Sequence, residues 1–390
     1  MPSQFHQKED KPLRGLIYAL GLSLLFAGCG SDSSKKGQSV DYRKNFNPYN
    51  EPYFQYQWYL TYTQNDFSLS AGIDPDASIH IIDAWKYTRG AGVKVAVIDN
   101  NFEITHKDLA ANVTKSYNAD LENYDVSNDS DESSHGTATA GFIAAVPNGY
   151  GILGTAPDAK LILVKQFYDD DAATIRAFEY AKKQGARIIS NSWGTGHVSE
   201  AVAFEMASLK DQNITIFFAS GNNGPTLTSA NQNLDAPGIT DESELPSVIG
   251  VGATNELNQL ASYSNYGSNI DILAPGGEYL GLLGLDDTGS AGVAYTSYTF
   301  PNGYMLYLDD AHAFETGTSF ACPVAAGVGA LMLSVNPALT PDQIRTLIIQ
   351  SAEKIESDSV YYNDKGFNLK RAYGKINAAK AVALAKRFTN

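Results

Sequence analysis

The sequence predicts an α/β fold, a three-layer α/β/α sandwich in which helices cover both faces of a mostly parallel central sheet. Two observations predict it: short apolar runs rich in β-branched residues recur along the chain, and segments with helical spacing of apolar residues separate them. Parallel strands joined through helices form right-handed crossovers, which stack the helices on the sheet. With 390 residues, 43% of them hydrophobic, the chain can bury a sizeable core.

Five apolar runs are predicted to be strands covered on both faces. They are residues 93–99, 159–167, 186–194, 213–221 and 247–254. Residues 172–185 and 199–213, which lie between these runs, show the spacing of helices. Near the C-terminus a further helix is predicted over 340–355, because Thr340 is a good cap and Pro341 fits the first turn.

The N-terminus has the layout of an export signal. A weakly basic stretch precedes the apolar run 16–28, which is too short to span a membrane comfortably. The end of this run, "LFAGC" (25–29), resembles the lipobox of bacterial lipoproteins, although Phe26 stands where Leu, Val or Ile is usual. We therefore expect a signal peptide over 1–28, lipidation of Cys29 and a lipid-anchored protein in the cell envelope. The alternative is a plain secretory signal in which Cys29 is incidental.

Residues 29–50 are polar and nearly free of aliphatic side chains, which predicts a flexible tether before a folded body over 51–390. The net charge of −15 argues against nucleic-acid or anionic-membrane partners, so contact with the membrane is expected only through the lipid anchor. The second cysteine, Cys322, lies in an apolar helical segment, and no disulfide with Cys29 is expected. A monomer is expected.

Four polar residues stand where a parallel sheet gathers functional groups, outside the carboxyl ends of its strands. Asp99 ends one predicted strand and Asn222 follows another. His135 opens "HGTATAG", and Ser319 stands at the start of a small-residue helix in "GTSFACPVAAG". Taken singly, each is more simply a cap or turn residue. Together they supply the carboxylate, imidazole, hydroxyl and oxyanion donor that acyl transfer requires.

From about residue 57 to the C-terminus the sequence resembles the subtilisin-like serine proteases, or subtilases. "VAVIDNNFEITHKDL", "HGTATAG", "SGNNG" and "GTSFACPVAAG" look like the family's aspartate, histidine, oxyanion-asparagine and nucleophile motifs, and the order Asp, His, Ser is the subtilisin order. The resemblance implies a subtilisin-like peptidase domain over 51–390. It implies that Asp99, His135 and Ser319 form a catalytic triad and that Asn222 helps to bind the oxyanion. The implied activity is that of a serine endopeptidase on protein or peptide substrates.

Four positions depart from the family motifs without removing a catalytic group. Ala138 stands where a second histidine is common, Val324 replaces a histidine and Cys322 replaces a serine. Asn101 replaces a glycine, a change we expect to be tolerated because asparagine also enters the left-handed region.

The resemblance also implies a substrate cleft. Ser192, Trp193 and Gly194 match the strand that pairs with extended substrate, and Ala219, Ser220 and Gly221 match the opposite wall of the primary pocket. The acidic run 241–244 falls where relatives close the base of that pocket. We expect a solvated acidic loop there; a preference for basic substrates or a bound cation are the other interpretations.

A structural calcium ion is also implied by resemblance. Asp108 and Asn148 fall where relatives place side-chain calcium ligands, and oxygen ligands suit that ion. A plain turn at Asn148 is the alternative.

An insert over 278–312 precedes the nucleophile motif. Its segment 294–308 alternates about a Pro-Asn-Gly turn and predicts a β-hairpin. Residues 30–56 are too few for a folded inhibitory pro-domain, so folding is expected to proceed without one or with help in trans.

Two competing functions remain open at this stage. The first is a catalytically silent, surface-anchored binding protein on the same fold, which only an activity measurement separates from the enzyme. The second is an esterase of another α/β fold, but residues 317–321 lack the second glycine of a nucleophile elbow.

Overall fold

The computed structural model of the protein describes residues 46–127, 134–166, 170–196, 198–224, 241–289, 297–300, 302–356 and 361–389. The expected signal peptide and Cys29 lie outside these residues. Residues 46–50, which the polar pattern assigned to the tether, instead belong to the folded body. Phe46 packs edge-to-face on Trp85 with ring centroids 5.3 Å apart, and the Arg89 guanidinium lies 4.5 Å from the Phe46 ring centre. Because of these contacts of Phe46, the folded body begins at least five residues earlier than the expected residue 51.

Seven parallel strands form the central sheet. They are β1 (Lys94–Asp99), β2 (Val113–Asn118), β3 (Lys160–Lys165), β4 (Ile188–Asn191), β5 (Thr215–Ala219), β6 (Val248–Thr254) and β7 (Ile272–Pro275). Their order is β2-β3-β1-β4-β5-β6-β7, which places β4 at the centre, between β1 and β5. The sequence pattern predicts β1, β3, β4, β5 and β6. It misses the edge strand β2, whose side chains are mostly exposed or half-buried, and the short strand β7.

Eight helices are present in the described part of the chain. They are α1 (Asp66–Ala71), α2 (Ile81–Trp85), α3 (His135–Ala144), α4 (Asp171–Lys183), α5 (Glu200–Asp211), α6 (Thr318–Val335), α7 (Pro341–Ser351) and α8 (Ala378–Arg387). The expected cap of α7 is confirmed: the Thr340 side chain accepts from the Gln343 N–H, and the Gln343 side chain accepts from the Thr340 N–H.

The core lies on both faces of the sheet, as the expected three-layer α/β/α sandwich requires. Along β1, Val95 and Val97 belong to the cluster that contains α3, α6 and α8. Ala96 and Ile98 belong to a second cluster, which contains α4 and α5. The alternation of side chains along a strand thus divides the apolar residues between two helical layers.

Two small antiparallel pairs lie in and beside the insert. The expected hairpin is confirmed, because β9 (Ser297–Thr299) pairs with β10 (Met305–Tyr307). Strand β8 (Leu282–Leu285) pairs with β11 (His312–Glu315), and the chain then leads directly into α6.

Helix α6 runs through the centre of the molecule and packs very closely. A Cβ atom at Gly327 would lie only 2.5 Å from the Thr155 Cβ, so this contact requires glycine. Among the described residues α6 is the one helix long and apolar enough to cross a membrane, but most of it is buried inside the protein. It is therefore a core helix.

Candidate active site

The last residue of β1 and the first residue of α3 form a partly buried hydrogen-bonded pair. His135 Nδ1 lies 2.8 Å from Asp99 Oδ1. The Asp99 carboxylate is 4% exposed and also accepts from the Asn100 N–H at 2.8 Å and the Thr139 hydroxyl at 3.0 Å. A carboxylate so held places the proton on Nδ1 and leaves Nε2 of His135 as the proton acceptor.

The electrostatic surroundings raise the pKa of His135. Burial alone disfavours the imidazolium and would lower the pKa, but the Asp99 carboxylate outweighs it through its charge and hydrogen bond. The more distant Glu315 acts in the same direction. His135 is thus a stronger base than an ordinary histidine.

Ser319 lies in the first turn of α6, next to this pair. Its neighbour Phe320 packs against the His135 ring with centroids 5.3 Å apart. The Ser319 hydroxyl donates to the Ser192 carbonyl oxygen at 3.3 Å, and the Ser192 hydroxyl donates to the Ser319 carbonyl oxygen at 2.6 Å. Within the described residues no hydrogen bond joins Ser319 to His135. Such bonds are often long in structures without substrate and tighten when it binds.

Asn222 lies beside the same helix start. Its Oδ1 accepts from both the N–H and the hydroxyl of Thr318, each at 2.8 Å. These bonds fix the orientation of the amide. The Nδ2 group therefore remains available to donate to a ligand.

A cavity of about 460 Å³ opens beside Ser319 and Asn222. All six residues expected in the substrate cleft line it: Ser192, Trp193, Gly194, Ala219, Ser220 and Gly221. The structure thus brings together every residue that the sequence assigned to this cleft. The volume is typical of ligand pockets.

The acidic run 241–244 differs from the solvated loop expected from its sequence. Glu242 is only 1% exposed, and it accepts from the Thr195 N–H at 3.2 Å and the Thr195 hydroxyl at 2.6 Å. Asp241, Ser243 and Glu244 line the cavity. The run thus lines the pocket, and the hydrogen bonds of Glu242 connect it to Thr195, another lining residue.

Two of the residues that depart from the family motifs, Asn101 and Cys322, are buried. Asn101 is buried, and it is not among the residues with positive φ, so its tolerance does not come from a left-handed backbone. Cys322 is fully buried three residues after Ser319, with its Sγ 3.4 Å from the Asn191 carbonyl oxygen. Burial raises the pKa of this thiol to about 12.

Sequence reasoning missed Thr139, which holds the second Asp99 oxygen. The signal was present: Thr139 comes four residues after His135, and residues so spaced share one face of a helix. Its hydroxyl contributes to the orientation of the carboxylate.

Residues 90–375 match the family model Peptidase_S8, the subtilase family. The chain belongs to the subtilase family. A probable subtilase-type serine protease from Deinococcus radiodurans is 32% identical over 331 residues, which cover 77% of this chain and 42% of that protein. A calcium-dependent protease from Trichormus variabilis is 30% identical over 367 residues, 85% of this chain and 51% of that protein. The chain thus spans about half the length of these relatives.

The fold of this subtilase is also similar to solved protease structures. A protease from Pseudoalteromonas arctica superposes with a TM-score of 0.65 at 25% identity, covering 86% of this chain and 99% of that one. The expected subtilisin-like fold is confirmed. The named relatives are proteases, which are hydrolases.

The two residues expected to bind calcium in this subtilase lie side by side. Asn148 Nδ2 donates to Asp108 Oδ1 at 2.9 Å, and Asn148 Oδ1 accepts from the Tyr150 N–H at 2.9 Å. The other Asp108 oxygen accepts from the Ile152 N–H at 2.9 Å. Each of these side-chain oxygens thus already accepts an N–H hydrogen bond, which leaves it fewer lone pairs for a calcium ion.

A buried histidine completes this arrangement. His312 Nε2 lies 3.3 Å from Asp108 Oδ2, and its Nδ1 lies 2.6 Å from Asp309 Oδ1. Burial alone would lower the pKa of His312, but these two carboxylates raise it above its usual value. The described residues contain no group of three or more His, Cys, Asp or Glu suited to a metal ion. Asp108 and Asn148 as arranged do not fit calcium.

His312→Ala is expected to lower the free energy of unfolding by about 3–5 kcal/mol, and any response of the melting temperature to calcium is expected not to depend on Asp108. The free energy falls because Asp108, which is fully buried, would lose its contact with the His312 ring. Thermal and denaturant unfolding with EDTA or added calcium measures both effects. His80→Ala is the matched control, since His80 pairs with Glu353 at a partly exposed site. Stabilisation by calcium that Asp108→Asn abolishes would contradict this account.

Proposed function

We propose that the protein is a serine endopeptidase in which Asp99, His135 and Ser319 form the catalytic triad. The observation that carries the proposal is the 2.8 Å hydrogen bond between Asp99 and His135 beside a cavity lined by Ser319 and Asn222. Three features at one place support the proposal together. They are the raised pKa of His135, the position of the Ser319 hydroxyl at a helix start and the fixed orientation of the Asn222 amide.

In the proposed mechanism, the Ser319 hydroxyl turns from the Ser192 carbonyl oxygen towards His135. Nε2 of His135 takes the hydroxyl proton as Oγ attacks the peptide carbonyl carbon, and Asp99 stabilises the imidazolium that forms. His135 then gives this proton to the leaving amine as the C–N bond breaks. Water hydrolyses the resulting ester with the same base, which restores the Ser319 hydroxyl.

The developing negative charge needs donors that are already in place. Asn222 Nδ2 and the N–H of Ser319 are the proposed donors to the oxyanion. Because Thr318 holds the Asn222 oxygen from two directions, the amide is oriented before substrate arrives. Such preorganisation lowers the barrier because no reorientation is needed during the reaction.

The cavity walls are the proposed binding site for extended substrate. Residues 192–194 follow the end of β4, residues 219–221 begin at the last residue of the neighbouring strand β5, and both segments line the cavity. A peptide that lies between them can pair with their backbone groups as an added strand. The scissile bond would then be presented to Ser319.

A fluorophosphonate probe tests the assembled nucleophile. The full chain is expected to be labelled, and Ser319→Ala and His135→Ala are each expected to abolish labelling. The loss is expected because the first lacks the attacking oxygen and the second lacks its base. Ser127→Ala, on an exposed loop, is the matched serine control and should label like the parent. A folded parent that is never labelled would favour a catalytically silent binding protein.

The pH dependence of kcat/KM reports the His135 base. His135 must be neutral to accept a proton, so activity is lost as pH falls through its pKa, which lies above the usual 6.5. Burial raises the pKa of Glu315 to about 7, so its carboxylate is only partly charged across the acid limb; Glu315→Gln removes that partial charge, and the limb is expected to move slightly to lower pH. Glu200→Gln, at an exposed position on α5, should leave the limb in place. An acid limb that Glu315→Gln does not move would argue against this coupling.

We also propose export and lipid anchoring through Cys29, on the strength of the apolar run and the "LFAGC" segment. Cys29→Ser is expected to abolish incorporation of labelled palmitate and to release the protein from membranes, because the thiol is the acylation site. Cys322→Ser is the matched control, since it alters the only other cysteine. Release of the parent protein into the medium without label would instead support the plain secretory signal.

A further inference from the structure

The charged residues that line the proposed substrate pocket, among those the structure describes, are all acidic. Asp241 and Glu244 contribute carboxylates to its lining, and the lining contains no lysine, arginine or histidine among the described residues. A pocket that is partly shielded from water and carries only negative charge favours a positively charged occupant.

The two oxygens of Asp241 have different surroundings. Oδ1 accepts from the Ser243 N–H at 2.9 Å and the Ser243 hydroxyl at 2.6 Å. No described residue donates a hydrogen bond to Oδ2. That oxygen lies over the opposite wall, since a Cβ atom built on Gly194 would be 2.6 Å from it. One oxygen is thus fixed by the protein, and the other faces the cavity between its two walls.

The position of Asp241 is fixed by its neighbour in sequence. The buried Glu242 carboxylate binds both the N–H and the hydroxyl of Thr195, which belongs to the opposite wall. Burial raises the pKa of Asp241 to about 6, against the opposing effect of its Ser243 hydrogen bonds. The carboxylate is therefore held in place while lacking the cation that would compensate for its burial.

We propose that the pocket receives a lysine or arginine side chain and that Asp241 Oδ2 pairs with its cationic group. This inference rests on the proposed peptidase function and names its substrate class: proteins and peptides cut on the carboxyl side of a basic residue. An aliphatic or aromatic side chain would leave the Asp241 carboxylate desolvated and unpaired, which penalises such substrates.

A bound metal ion is a less suitable occupant. Asp241 offers one open oxygen, and the described residues contain no group of three or more His, Cys, Asp or Glu arranged for a metal. A single carboxylate matches one guanidinium or ammonium group, which can be paired without a full coordination shell.

Matched peptides that differ only in the residue before the cut provide the test. For the full-length parent, kcat/KM is expected to be about 100-fold higher with arginine or lysine than with leucine or phenylalanine, the size expected for a desolvated charge pair. Asp241→Asn retains the acceptor for Ser243 and should reduce this ratio to about tenfold or less. Asp211→Asn, at the exposed end of α5, should leave the ratio unchanged. If Asp241 had only a structural role, Asp241→Asn would lower kcat/KM for all the peptides by the same factor and leave the ratio unchanged.

The possible outcomes separate this inference from the function on which it rests. Hydrolysis that favours leucine or phenylalanine overturns the inference and leaves the peptidase proposal intact. A basic preference that survives Asp241→Asn overturns the assignment to Asp241. Absence of both hydrolysis and fluorophosphonate labelling overturns the peptidase proposal and the inference with it.

A second measurement covers the case in which Asp241→Asn fails to fold. Benzamidine carries a cationic amidinium group, and it should inhibit the parent competitively by occupying the pocket. Lack of inhibition of an active parent would overturn the inference without any variant.

Discussion

The contact of α6 with the layers around it is the constraint on which the site depends. Side chains along this helix are small and buried, and Gly327 has no room for a methyl group beside Thr155. Because the helix lies so close to its neighbours, its first turn is fixed against the loops that follow β4 and β5. The reciprocal hydrogen bonds of Ser192 with Ser319 and the bonds of Thr318 with Asn222 fasten it there. A bulkier helix would move Ser319 away from Ser192 and Asn222.

Two carboxylates in this region, those of Asp99 and Asp241, differ in how many hydrogen-bond donors they receive. Asp99 receives three donors, from Asn100, His135 and Thr139, and so it orients the imidazole without needing a ligand. Within the described part of the chain, Asp241 receives donors at one oxygen only. Buried polar groups are normally paired in the native state. This difference between the two residues is the basis for the proposal that Asp241 pairs with a substrate group.

The sequence predicted the features that are set by local pattern. Apolar runs give β1, β3, β4, β5 and β6, and the motif residues at their ends converge as a parallel sheet requires. The edge strand β2 was missed because its exposed residues lack the apolar pattern. The hairpin of the insert was visible because its turn residues separate alternating runs.

Other features depend on contacts between distant segments, which no local pattern contains. Glu242 looks like a solvated residue in sequence, and only its contact with Thr195 explains its burial. His312 lies 204 residues after Asp108, so nothing near either residue indicates that an imidazole takes the place expected for calcium. Buried charges are decided by tertiary pairing, and sequence proximity carries little information about it.

The burial of Cys322 bears on how the molecule can be labelled. Its thiol has a pKa of about 12 and no exposed surface, so at neutral pH it hardly forms the thiolate that reacts with maleimides. The chain has only one other cysteine, at position 29. A cysteine introduced on the surface of the folded body would thus be its sole reactive thiol. Fluorophores can therefore be attached to introduced surface cysteines without first removing Cys322, the native cysteine of that body.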